Sequence, residues 1–98
     1  MTESRTPTKW VAECFWPDVD EAAVRGVDAR AAQRAAELTR SGSPVSYLGS
    51  LLMREDEVVL CLFDGEHSSV VEVAERAQIP FARILEASGS PWPLSDPT

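Results

Sequence analysis

The chain has 98 residues, of which 16 are acidic and 9 are basic, and its formal charge of −7 argues against DNA or RNA as a partner. It has no apolar run long enough to span a bilayer, and no secretory signal pattern at the N-terminus, so we expect no membrane contact and a cytoplasmic location. In that reducing compartment, Cys14 and Cys61 are expected to be buried free thiols.

The first half of the chain predicts a strand and a long helix. Residues 9–16, KWVAECFW, are aromatic and β-favouring, and Pro17 ends this strand. Asp18 and Glu21 have the spacing of a capping box, and the alanine-rich segment after them predicts a helix to about residue 40. The apolar face of this helix is expected to consist of Val24, Val27, Ala31, Ala35 and Leu38.

The second half predicts a hairpin, a shorter helix and a last strand. Residues 44–53 and 58–63 are apolar, and the short polar turn between them implies an antiparallel pair. A second capping box, Ser69 with Glu72, predicts a helix to about residue 78, and residues 81–87 predict the fourth strand. The polar segments 1–8 and 88–98 are expected to be tails, which leaves one domain over 9–87.

The order strand, helix, strand, strand, helix, strand is typical of the α+β ferredoxin-like fold. Right-handed crossovers place the first and third strands in the middle of a four-stranded antiparallel sheet, with both helices on one face. The third strand is apolar at every position from Val58 to Phe63, so its second face also needs a cover. A second subunit is the simplest cover, and we expect a homodimeric α+β sandwich or barrel.

Two segments resemble a family of small bacterial ferredoxin-fold domains. These are WVAECFWPDVDEAAV, beginning at Trp10, and VSYLGSLLMREDEVVLCLFDGEHSSVVEVAERAQIPFARILEA, ending at Ala87. The family is catalogued as of unknown function, or as nickel-binding-protein-like after its metal-binding members. The resemblance implies a ferredoxin-like homodimer, and for the metal-binding members it implies histidines near the end of the first strand and along the second helix.

This chain lacks those histidines. Cys14, Phe15 and Trp16 end the first strand, and the second helix segment has Ala74 and Ile79 where histidines are expected. The one histidine, His67, lies in the loop before that helix. Because nickel favours imidazole donors, we predict no metal and no cofactor in this protein. A nickel-binding function like that of the relatives remains the alternative hypothesis.

Glu13 is the main candidate site residue, because it stands between Val11 and Phe15 on a central strand. One interpretation is an exposed carboxylate at a sheet edge or a salt bridge between subunits. The other is a general acid or base in an apolar cavity over the sheet, paired with Glu86 if the strand register allows, with Arg83 as counter-charge. Tyr47 and Ser50 are candidate hydrogen-bonding residues for a ligand, and Val11 and Phe15 are candidate walls.

These residues predict a small-molecule-binding homodimer, with a small and largely apolar organic ligand. The mechanistic hypothesis is a cofactor-free proton transfer of isomerase, cyclase or lyase type, with Glu13 and Glu86 as catalytic residues. A non-catalytic protein-interaction module stays open as the third class, in which Glu13 sets only the specificity of association. Trp92, between two prolines in the C-terminal tail, is expected either to dock on the body or to be disordered.

Overall fold

The computed structural model describes residues 9–88 and has the ferredoxin-like order of elements that the sequence predicts. The predicted tail 1–8, and residues 89–98 of the predicted C-terminal tail with Trp92, lie outside the described residues. Four antiparallel strands form one sheet in the order β2-β3-β1-β4, so the first and third strands are central, as expected. The elements are β1 (Lys9–Phe15), α1 (Glu21–Arg40), β2 (Val45–Met53), β3 (Val58–Gly65), α2 (His67–Arg76) and β4 (Arg83–Ala87).

The predicted capping box at the start of α1 is wrong. Asp20 is the N-cap, and its carboxylate accepts a 2.8 Å hydrogen bond from the backbone N–H of Ala23. Asp18 instead lies in the turn after β1 with a φ of +61°, a left-handed conformation that Asp tolerates better than most residues. Its backbone N–H donates to the Glu57 side chain in the β2–β3 turn, so that Asp18 joins two loops rather than starting a helix.

The predicted start of α2 is also wrong. The helix begins at His67 after Glu66, two residues before Ser69, and Ser69 is a buried residue inside it. The end of α2 is bound to α1, since the guanidinium of Arg30 donates a 2.7 Å hydrogen bond to the carbonyl of Ala77. This contact satisfies one of the carbonyls that a helix C-terminus leaves without an intrahelical partner.

One face of the sheet is covered by both helices. Alternate residues of the central strands point to it, and Ala12, Cys14 and Phe63 are fully buried there. Helix α1 packs mainly on β2, whereas α2 packs on β3 and β1. The five predicted apolar positions of α1 are all buried, which confirms the helical periodicity. Further core residues on this side are Val59, Cys61, Val70, Val73, Ala74, Ala77 and Ile79.

The opposite face, called the bare face below, has no element of residues 9–88 packed over it. Alternation along each strand turns a second set of side chains towards it, and the strand register places them side by side. Its members are Lys9, Val11, Glu13, Phe15, Leu51, Met53, Val58, Leu60, Leu62, Asp64, Arg83 and Leu85. The predicted placement of Val11, Glu13 and Phe15 on the face without helices is therefore confirmed.

Candidate functional site

The centre of the bare face is apolar because β3 contributes Val58, Leu60 and Leu62 there, and only Asp64, near the end of the strand, is charged. Leu60 lies directly across from Glu13 on one side and from Leu51 on the other. Leu62 lies across from Val11, which is in turn across from Leu85. Aliphatic side chains therefore continue across all four strands, and cross-strand neighbours at these spacings are in direct contact.

The large hydrophobic side chains that the described part of the chain leaves exposed all lie on this face. They are Phe15, at 57% exposure, Leu51, at 50%, Met53, at 40%, and Leu85, at 39%. Single exposed hydrophobic residues are common on any protein, but a contiguous group on one face indicates a surface that is used for contact.

The four charged side chains of the bare face form two cross-strand ion pairs. Arg83 donates to the Glu13 carboxylate over 2.5 Å, and the ammonium of Lys9 lies 3.4 Å from the carboxylate of Asp64. Both pairs join residues that are directly opposite in the sheet register. The charges on the face sum to zero, whereas the whole chain carries −7.

Glu13 is the partly buried member of its pair. Its side chain is 18% exposed, against 61% for Arg83. Apolar neighbours surround the carboxylate on the central strand, and the guanidinium provides its polar contact. The salt bridge of Glu13 therefore lies within one chain rather than between subunits, and its partner is Arg83, the counter-charge that the sequence suggested.

Glu86 does not share this face with Glu13, so the proposed pair of carboxylates is wrong. In the β1–β4 ladder Glu13 is opposite Arg83, while Glu86 is opposite Trp10. Because side chains alternate along a strand, residues three positions apart point to opposite faces. The predicted ligand residues divide in the same way, since Val11 and Phe15 are on the bare face and Tyr47 and Ser50 point towards the helices.

Tyr47 belongs to a half-buried polar contact between sheet and helix. Its hydroxyl donates a 2.5 Å hydrogen bond to Asp28 of α1, and its ring packs edge-on against Phe63. Burial raises the pKa of the Tyr47 hydroxyl well above its ordinary value of 10.0. The nearby Cys61 thiol also has a raised pKa, because it hydrogen bonds with Cys14 and is buried. Both cysteines are buried free thiols, as predicted.

His67 has a packing contact rather than a cluster of metal-ligating neighbours. Its ring lies 4.8 Å from the ring of Trp10, whose indole N–H donates to the carbonyl of Gly65. Among residues 9–88 no three His, Cys, Asp or Glu side chains are grouped in a way that could hold a metal ion. No helix within this range is long and apolar enough to cross a membrane.

Sequence reasoning did not identify Leu51, Met53 and Leu85 as members of the site. The signal was present, since residues 51 and 53 are two apart on β2 and Leu85 is two residues after Arg83. Their assignment to the bare face required the strand register, which also places Lys9 opposite Asp64. The candidate site is therefore wider than predicted and extends across every strand.

Comparison with known proteins adds no relative from which a function can be transferred. No protein-family profile, no curated protein and no solved structure matches this chain. The likeness to nickel-binding-protein-like domains accordingly stays an expectation drawn from the sequence motifs.

Proposed function

We infer that the protein is a homodimeric assembly module whose bare face is the dimer interface. The observation that carries this proposal is the grouping of Phe15, Leu51, Met53 and Leu85 on one neutral sheet face. Association of two copies would remove these side chains from water, at about 25 cal/mol for each Å² of apolar surface that is buried.

The size of the face supports a specific interface. Strands are spaced about 4.8 Å apart and rise about 3.3 Å per residue, so four strands of this length cover roughly 400 Å² in projection. The accessible area is larger, because side chains stand out from the sheet. A standard interface buries about 800 Å² on each partner, so two such faces fit within the ordinary range of protein–protein contacts.

The charge distribution favours a second copy of this chain as the occupant. Two copies with a charge of −7 each repel one another over most of their surfaces. On the bare face Glu13 and Lys9 are neutralised within the chain by Arg83 and Asp64, so that the repulsion is weakest there. A basic partner would be attracted to the acidic surface elsewhere on the molecule and would gain no electrostatic attraction at this neutral face.

A mutation in the interface tests the proposal. Leu51→Glu places a carboxylate on the bare face, and twofold symmetry introduces it twice into the dimer. An uncompensated buried charge costs about 3–5 kcal/mol, so we expect the dissociation constant to rise at least about a hundredfold. Ala36→Glu is the matched control, because it adds the same charge at an exposed position of α1.

Sedimentation equilibrium of wild type and both variants at micromolar concentrations measures this effect. Wild type and Ala36→Glu should approach twice the chain mass of 10.7 kDa, and Leu51→Glu should remain at that mass with an unchanged circular dichroism spectrum. Wild-type protein that stays monomeric, or equal association of all three proteins, would contradict the proposal.

A second candidate is the cofactor-free acid–base enzyme, in which a cavity at the interface holds a small apolar ligand. The low exposure of Glu13 among apolar side chains favours it. Association would exclude more water from the carboxylate, and positioned acid–base groups contribute about 10²–10⁴-fold in rate. Once a substrate is found, Glu13→Gln should lose at least about a hundredfold in kcat while remaining dimeric. A fully active dimeric variant would eliminate Glu13 as the acid–base residue.

A further inference from the structure

A small cavity lies on the helix side of the sheet, away from the bare face. It is located where the first turns of α1 cross the edge strand β2, and its volume is about 270 Å³. The lining residues are Glu21, Val24, Arg25, Ser50, Leu52 and Arg54. Because β2 is an edge strand, no other strand of residues 9–88 closes the cavity on its outer side.

The local sequence explains why these side chains converge. Val24 and Arg25 follow Glu21 by three and four positions, which is about one helical turn, so the three side chains lie on the same side of α1. Ser50 and Leu52 are two apart on β2, and their partners Cys61 and Val59 are both buried on the helix side. The alternation of β2 therefore directs Ser50 and Leu52 under the helix, while Leu51 between them points to the bare face.

Two polar groups in this cavity have no partner within residues 9–88. Arg25 is exposed and Ser50 is half-buried, and neither the guanidinium nor the hydroxyl makes an ion pair or a hydrogen bond there, whereas Arg54 is paired with Glu21. An arginine presents parallel N–H donors that match a carboxylate, and a serine hydroxyl adds a further donor. Val24 and Leu52 supply apolar walls beside these donors.

We propose that this cavity binds a small monocarboxylate whose short aliphatic part contacts Val24 and Leu52. Arg25 binds the carboxylate, and Ser50 donates a hydrogen bond to it. Among the lining residues Arg54 and Glu21 neutralise one another, which leaves Arg25 as a single positive charge that matches a monoanion. The apolar walls select an aliphatic carboxylate over inorganic phosphate, which carries more charge and has no apolar part to bury.

Titrations followed by amide chemical shifts test this proposal, with acetate, hexanoate and inorganic phosphate as separate probes at constant ionic strength. Hexanoate should give saturable shifts centred on the amides of Ser50 and Leu52, at lower concentrations than acetate or phosphate. Arg25→Gln should weaken hexanoate binding at least about tenfold, since a hydrogen bond to a charged group contributes about 1.5–3 kcal/mol. Arg40→Gln, at the exposed far end of α1, is the matched control and should bind as wild type does.

Three outcomes would overturn the proposal: no saturable shifts with hexanoate, tighter binding of phosphate, or equal binding by Arg25→Gln and wild type. The cavity proposal rests on other residues than the dimer proposal, because the cavity and the bare face are on opposite sides of the sheet, so each can fail without the other. Leu51→Glu should still bind hexanoate if it is a folded monomer, and a non-binding dimer would refute the cavity alone.

Discussion

The two faces of the sheet have similar apolar content but different surroundings. On the helix side Cys14, Cys61 and Phe63 are fully buried, whereas on the bare face Phe15 and Leu51 are at least half exposed. Burial on the first side is complete within one chain. On the second side no element of residues 9–88 covers the apolar centre, and contiguous exposed apolar surface of this kind is typical of contact sites.

The distribution of polar groups follows the same division. On the covered side Tyr47 is hydrogen bonded to Asp28, so a half-buried polar group has its partner in the same chain. On the bare face Glu13 and Arg83 form an ion pair across two strands. Both of these polar contacts lie within one chain, and what distinguishes the bare face is its exposed apolar surface.

Two phenylalanines give the largest expected contrast between the faces. Phe63→Ala should lower the free energy of unfolding by about 3–5 kcal/mol at every protein concentration, because it leaves a cavity in the core. Phe15→Ala should change the stability of the monomer by less than about 1 kcal/mol. At high concentration it should lower the apparent stability, since it weakens an association that stabilises the folded chain.

Urea unfolding at two concentrations that differ a hundredfold measures both effects. If both variants lost the same free energy of unfolding at both concentrations, Phe15 would be as important to the folded monomer as Phe63, and the bare face would not take part in association. If only Phe63→Ala lowered the free energy of unfolding in a concentration-dependent way, the interface would lie on the helix side of the sheet and not on the bare face.

Tyr47→Phe should have an intermediate effect and should change the response to alkaline pH. Loss of its hydrogen bond to the carboxylate of Asp28 should cost about 1–2 kcal/mol at neutral pH. The pKa of the Tyr47 phenol is raised in the folded state, whereas in the unfolded chain it has its ordinary value of 10.0. Above pH 10 the phenol therefore ionises only in the unfolded chain, and this ionisation favours unfolding. This contribution to stability is full below pH 10 and is lost as pH rises above it.

Because the Phe variant has no phenol to ionise, its free energy of unfolding should fall less steeply than that of wild type above pH 10. Cys61 also has a raised pKa, but it is present in both proteins and cancels in the difference. Thermal unfolding between pH 8 and 11 gives the two curves. Parallel curves would show that Tyr47 is not held in its neutral form by burial.

The smallest expected effect is the coupling between Glu13 and Arg83 in the monomer. Arg83 is mostly exposed, and exposed pairs contribute about 0–1 kcal/mol. A double-mutant cycle with Glu13→Gln and Arg83→Met, measured in the Leu51→Glu background, should give a value in that range. The same cycle in wild type should give a larger value, because association removes water from the pair. Equal values in both backgrounds would place the pair outside the interface.

The order of elements and the core were predictable from the sequence because both follow from periodicity. The spacing of Val24, Val27 and Leu38 alone places them on one helical face. The alternation of Val11, Glu13 and Phe15 likewise places these three on one sheet face, and neither assignment requires knowledge of tertiary contacts. The assignment of two helices to one face then follows from the right-handed crossovers.

Caps and register were not predictable to the same degree. Asp18 and Asp20 are both acceptable N-caps, and only the turn that joins Asp18 to Glu57 decides between them. The placement of Glu86 depends on the pairing of β4 with β1, where a shift of one residue moves every side chain to the other face. The contact of Tyr47 with Asp28 joins residues 19 apart, on different elements, and has no signature in the sequence.

The central claim is that the bare face is covered by a second copy of the same chain. Isotope-filtered nuclear Overhauser spectra of a mixture of labelled and unlabelled protein test this most directly, because they report only contacts between copies. We expect cross-peaks that link the side chains of Phe15, Leu51, Met53 and Leu85 to bare-face protons of the partner. Cross-peaks that involve only the helices, or none at concentrations up to about 1 mM, where even millimolar affinity would give association, would contradict it.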